Sequence, residues 1–232
     1  MPNYTGIWTR QQQFQAIGSG TWPSADTYVL TNLVGNFDPA LSYSGSGTTV
    51  TNLVSGGTNG TLVNGVTYSS ANGGVFVLDG SNDYINVPIN LSSGAFTIMG
   101  AARYTTPTDA RIFSAKNNNW LMGQWGSTTQ NYYAEGWVST IDAGASDTNW
   151  RIYAATGNTA TDSWSLYVNG ALSAGPNSSG SQGPNGLAIG SYAGTSEFAA
   201  GHVGFWLMYN TVLTEAQILQ NYNYFKARYG LS

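Results

Sequence analysis

A cysteine-free chain of 232 residues, 41% of them hydrophobic, is long enough to bury a core without disulfides or metals. Lys, Arg, Asp and Glu supply only 8% of it, and 7 basic against 11 acidic residues leave a net charge of −4, so no basic footprint is presented to nucleic acid or anionic lipid. Aromatic residues at 13% argue against disorder, no stretch approaches the ~18 apolar residues of a membrane span, and Asn, Ser, Thr and Gln carry the solubility that ions usually carry.

The first segment, 1–30, reads as an arm. Thr9 and Gln12 have capping-box spacing and open a helix of about two turns that Gly18 ends. So short a helix does not hold alone. Trp8, Phe14 and Trp22 are its apolar anchors, seated either on the chain's own domain or on a neighbour in an assembly. The opening residues lack the basic-then-apolar layout of a secretory signal, so the chain is expected to be made and kept in a cytoplasm.

From residue 31 onward the pattern is β. Short alternating or apolar runs occur at 33–37, 61–63, 66–68, 75–78, 84–87, 96–102 and 112–114, then at 120–125, 132–138, 150–154, 164–168, 187–189 and 203–209. Turn residues separate them at sandwich spacing. Asn64-Gly65 and Asn169-Gly170 suit the positive-φ pair of a type I′ turn, which predicts two hairpins. The polar stretches 42–49 and 175–183 read as loops. A second capping box, Thr214 with Gln217, opens a closing helix whose Ile218, Tyr222, Phe225 and Tyr229 form one apolar stripe, with Gly230 as its stop. The expectation is an all-β, two-sheet antiparallel jelly-roll sandwich over 31–232, with short N- and C-terminal helices.

Carboxylate catalysis on a strand places acids at alternate positions so that they share a face. No such run exists here, and Glu135, Glu197 and Glu215 stand apart in the sequence. His202, the sole histidine, has no Gly-x-Ser-x-Gly partner, and the reading is not an enzyme. Asp79 and Asp83, beside Asn82, either hold calcium or fix a turn through Asx hydrogen bonds; no other cofactor is indicated. Sugar recognition pairs aromatic faces with planar amides, which singles out Asn118, Trp120, Trp137, Trp150 and Tyr192. The competing reading of those aromatics is core packing.

The segment Leu78-Asp79-Gly80-Ser81-Asn82-Asp83-Tyr84-Ile85 resembles the laminin-G-like, concanavalin A-like jelly roll. So do Asn59-Gly60-Thr61-Leu62-Val63-Asn64-Gly65 before it and Leu166-Tyr167-Val168-Asn169-Gly170 after it, closed by Gly204-Phe205-Trp206-Leu207-Met208-Tyr209-Asn210. Asn36-Phe37-Asp38-Pro39 followed by 42–49, and the leader Gly6-Ile7-Trp8-Thr9, Gln12, Gln15-Ala16 and Gly20-Thr21-Trp22-Pro23, are similar to the variant in virion proteins of tailed bacteriophages. That resemblance implies a non-enzymatic virion surface protein, a capsid decoration or a tail or fibre component, assembled in the host cytoplasm. Its implied partners are its own copies, other virion proteins and surface glycans. The alternative is a free-standing, lectin-like carbohydrate-binding module.

Overall fold

The computed structural model describes residues 27–106, 109–126, 128–145 and 147–232. The arm helix and the anchors Trp8, Phe14 and Trp22 lie outside the described residues. In chain order the strands begin with β1 (Leu33–Phe37), β2 (Thr49–Val50), β3 (Gly60–Val63), β4 (Thr67–Ser69), β5 (Val75–Asp79), β6 (Tyr84–Asn90), β7 (Ala95–Tyr104) and β8 (Phe113–Ser114). They continue with β9 (Trp120–Trp125), β10 (Thr128–Ala134), β11 (Trp137–Ala145), β12 (Arg151–Asn158), β13 (Ser163–Val168), β14 (Ala171–Asn177), β15 (Asn185–Ile189) and β16 (Ala200–Tyr209). Among the described residues the α-helices are α1 (Pro39–Ser42) and α2 (Glu215–Phe225), with 3-10 turns at Ala71–Gly73 and Lys226–Tyr229.

An eight-stranded sheet has the order β14-β13-β12-β7-β16-β5-β4, with β1 also on β16. Facing it are two four-stranded sheets, β11-β10-β9-β8 and β15-β6-β3-β2. They meet where Ala115 bridges Leu187 and the Lys116 N–H donates to the Gly186 carbonyl at 3.0 Å. The fold is thus an all-β antiparallel sandwich.

The central strands of the large sheet are apolar on both faces. Ile98, Ala102, Tyr153, Ala155, Trp206 and Met208 join the core between the layers, while Met99, Ala101, Ile152, Ala154, Phe205 and Leu207 join a second core beneath α2. This is period-2 alternation with both sides buried, which is why 96–102 and 203–209 read as unbroken apolar runs. The α2 stripe supplies the other half of the second core. Ile218, Tyr222 and Phe225 are buried, and Phe225 stacks on Phe205 with centroids 3.6 Å apart. Each such side chain contributes roughly 1.5–3 kcal/mol by leaving water. The capping box is formed, with the Gln217 N–H on Thr214 Oγ1 and the Thr214 N–H on Gln217 Oε1.

Some expectations are corrected. Asn169-Gly170 makes its hairpin, both residues at positive φ, between β13 and β14. Asn64-Gly65 does not: β3 pairs with β2 and β6, whereas β4 pairs with β5 in the other sheet. That turn is a crossover between layers, held by Gly65 N–H on Asp83 Oδ1 (2.7 Å) and Asn64 Nδ2 on the Asn82 carbonyl (2.6 Å). The run 132–138 is two strands, split at Glu135 (φ 56°) and Gly136. Part of the expected loop 175–183 belongs to β14. Among the described residues no helix is long and apolar enough to cross a membrane.

Candidate functional site

Strand parity builds the site. In β9, Trp120 and Met122 point into the core between the layers, so Trp125, an odd number of residues from Trp120, points out. In β10 Tyr132 and Ala134 are core and Tyr133 is outward; in β11 Val138 is core and Trp137 is outward. Trp137 is 40% exposed. Its ring lies 5.6 Å from that of Trp125 and meets Tyr133 edge-on at 5.0 Å. The result is an aromatic shelf on the outer face of the smaller layer. Its rim is set by the Glu135-Gly136 turn, where a side chain on Gly136 would collide with the Ser179 carbonyl, its Cβ only 1.9 Å from that oxygen.

A polar wall closes one end. Glu197 Oε2 accepts from Trp125 Nε1 at 2.9 Å and from Arg111 Nε at 2.8 Å. Arg111 is 7% exposed while Glu197 stays partly open to water, and the pair is held by charge-assisted hydrogen bonds. Arg111 Nη1 donates to Asn119 Oδ1 at 2.6 Å, and the Asn119 N–H donates to Glu135 Oε1 at 2.8 Å. The Arg111 guanidinium also lies over Tyr192, 4.3 Å from its ring centre, a cation–π contact that fixes the ring. Indole faces suit the C–H side of a sugar ring, and the exposed Glu135 carboxylate can accept from hydroxyls.

Of the residues singled out in the sequence, Trp137 and Tyr192 are brought together here through Trp125, Glu197 and Arg111. Asn118 is not at the surface contact. Its Nδ2 donates to the Gly183 carbonyl and its Oδ1 accepts the Asn185 N–H, so it pins two loops. Trp120 is corrected outright: it is fully buried, against Phe96 and Tyr132, with no face left for a ligand. Trp150 lies elsewhere, packed on Tyr229 with centroids 4.6 Å apart. Glu135 and Glu197, separate in the sequence, meet through Asn119 and Arg111. Trp125, Tyr133 and Arg111 were missed; the odd spacing from Trp120 to Trp125 was the available signal.

Asp83 and Asp79 serve the turn. Asp83, 2% exposed, accepts Gly65 N–H on Oδ1 and Asp79 N–H on Oδ2, and Asp79 Oδ1 accepts Ser81 N–H at 2.8 Å. Among the described residues no three His, Cys, Asp or Glu gather as metal ligands.

A family model described as the concanavalin A-like lectin/glucanases superfamily matches residues 79–219. No curated protein matches the sequence. Among solved structures, domain 4 of a GH43 extracellular arabinanase from Geobacillus stearothermophilus, in complex with arabinotriose, superposes with a TM-score of 0.60 at 18% identity, over 82% of this chain and 98% of that one. The binding domain of Paraclostridial Mosquitocidal Protein 1 gives 0.59 at 17% identity, over 83% of this chain and 52% of that one. Trypanosoma rangeli sialidase, in complex with 2,3-difluorosialic acid, gives 0.60 at 14% identity, over 84% of this chain and 33% of that one. At these identities the likeness is one of fold.

Proposed function

The chain belongs to the concanavalin A-like lectin/glucanases superfamily, and from that premise we propose that it is a non-enzymatic glycan-recognition protein whose contact surface is the shelf of Trp125, Tyr133 and Trp137. The observation that carries the proposal is Trp137, a large aromatic left 40% exposed and braced by two other rings. A rigid aromatic in that position adds contact area at little entropic cost. The non-enzymatic reading is supported by Glu197, whose Oε2 is already occupied by two donors. An arabinanase domain solved with arabinotriose and a toxin binding domain share the fold, which supports recognition as the shared use.

The setting we propose is the surface of a tailed-phage virion, as capsid decoration or as part of the tail or fibre. There it would meet its own copies and other virion proteins, assembled in the host cytoplasm. The Gly20-Thr21-Trp22-Pro23 leader supports that setting; a free-standing lectin module would use the same shelf without it. Mass spectrometry of purified particles decides between the two.

The shelf is tested by a broad glycan array followed by titration calorimetry of the best neutral oligosaccharide against Trp137→Ala. Loss of a central aromatic costs about 2 kcal/mol, roughly a thirtyfold fall in affinity, with the far-ultraviolet circular dichroism unchanged. An array without a hit, or equal affinity in the variant, removes the proposal.

A further inference from the structure

A second cleft, of about 460 Å³, lies on the other layer and is lined by Arg103, Asn149, Trp150, Arg151 and Leu231 among others. Its volume falls within the range of about 300–1,000 Å³ usual for small-molecule sites. The register of the large sheet creates it. Arg103 on β7 sits directly opposite His202 on β16, and Arg103 Nε donates to His202 Nδ1 at 3.1 Å. This bond aims the guanidinium at Trp150, 5.7 Å from the ring centre. Trp150 is in turn braced by Tyr229.

The charge pattern is unusual for so acidic a chain. Three arginines have carboxylate partners: Arg111 with Glu197, Arg151 with Asp147 and Arg228 with Asp38. Among the described residues Arg103 has none, and neither of its Nη groups has a hydrogen-bond partner. The Tyr222 hydroxyl donates to the main-chain oxygen of Ser232 at 2.8 Å, and no ion pair joins Ser232 to Arg103. The cleft therefore presents one uncompensated cation beside an indole. A guanidinium fork matches a carboxylate bidentately, and an indole face takes the C–H side of a pyranose.

We propose that this cleft is a separate binding site for an acidic sugar residue, a hexuronate, whose carboxylate docks on Arg103 and whose ring lies on Trp150. It is independent of the shelf, since it lies in the opposite layer and shares no residue with it.

The full chain is titrated calorimetrically with trigalacturonic acid, neutral galactotriose and inorganic phosphate. Trigalacturonic acid is expected to bind, and to bind at least tenfold more weakly to Arg103→Gln. Arg103→Lys keeps the charge without the fork and loses several-fold. Lys226→Gln, which removes a cation that does not line the cleft, leaves the titration unchanged. Raising salt from about 50 to about 500 mM weakens the acidic ligand and leaves any binding of the neutral one unaltered, because only a charged contact is screened. Equal affinity in wild type and Arg103→Gln overturns the proposal. So does phosphate binding as tightly as the uronate, or no uronate binding at about 10 mM. Failure of the Trp137 experiment with neutral glycans would leave these results untouched.

Discussion

Asp83→Ala is expected to loosen the join between the two layers. Asp83 is 2% exposed and its two oxygens take Gly65 N–H at 2.7 Å and Asp79 N–H at 3.2 Å. Hydrogen bonds to a charged group are worth about 1.5–3 kcal/mol each, and the longer one belongs at the lower end. Gly65 is exposed, so water recovers part of its loss; the sum comes to about 2–3 kcal/mol. Asp83→Asn keeps one acceptor and turns an amide N–H₂ toward the other donor, at a cost of about 1–2 kcal/mol. For a domain of this size each kcal/mol moves Tm by about 2–4 °C. The alanine variant should then melt about 4–12 °C below wild type and the asparagine variant between them. Scanning calorimetry with added calcium or with EDTA measures both. A loss below about 1 kcal/mol in Asp83→Ala refutes the reasoning. A calcium-dependent rise in Tm that Asp83→Ala abolishes would refute it differently, by showing that these oxygens take a metal instead of two backbone N–H groups.

Gly157→Ala should destabilise by overpacking, because a Cβ there would stand 2.3 Å from Trp164 Cζ3 and 2.5 Å from Phe96 Cε1. Relief of such clashes costs about 1–3 kcal/mol, which at a urea m-value of about 2–3 kcal/mol/M lowers the midpoint by about 0.3–1.5 M; an unshifted midpoint would contradict the packing. Asn221→Leu removes the acceptor for Val29 N–H (2.8 Å) and the donor to Tyr209 Oη (2.9 Å), all buried. The orphaned donor costs about 1–3 kcal/mol, and amide exchange at Val29 should accelerate accordingly; unchanged exchange would count against the bond. Asp147 is held down from 3.8 to about 2, chiefly by its hydrogen bonds from Arg151. Its contribution is present above about pH 4 and fades as pH falls toward 2. The pair is partly exposed, so solvent screening keeps that contribution to about 1 kcal/mol or less. Urea titrations at stepped pH should show a flatter acid limb in Asp147→Asn, and an identical limb would be a failure.

Where alternation alone decides, the sequence read well: the runs at 33–37 and 120–125 are β1 and β9 at the predicted bounds. The closing helix followed from its capping box and stripe, both local signals, but its α-helical part ends at Phe225 and Tyr229 falls in a 3-10 turn, Lys226–Tyr229, before Gly230. What failed needed knowledge of partners. Asn64-Gly65 has hairpin chemistry, but strand pairing is a tertiary choice, and here Asp83, 18 residues on, draws the turn across to the other sheet. The break at Glu135-Gly136 was invisible because Glu rarely marks a positive-φ turn, and the Ser179 carbonyl that only a residue without a Cβ at 136 admits lies 43 residues on. The same limit governed the site. Trp120 and Trp137 look alike in the sequence, and only the face each strand turns to the core separates a buried ring from an exposed one. Arg111 and Glu197 are 86 residues apart, so no local spacing could announce them.

The described chain starts against α2: Gln220 Nε2 donates to the Thr27 carbonyl at 2.8 Å and Val29 is tied to Asn221. Its point of entry is therefore on the helix-covered back, whereas the shelf crowns the opposite surface, with both sheets stacked in between. A partner docked over α2 and Thr27 would therefore leave Trp137 uncovered on the far face.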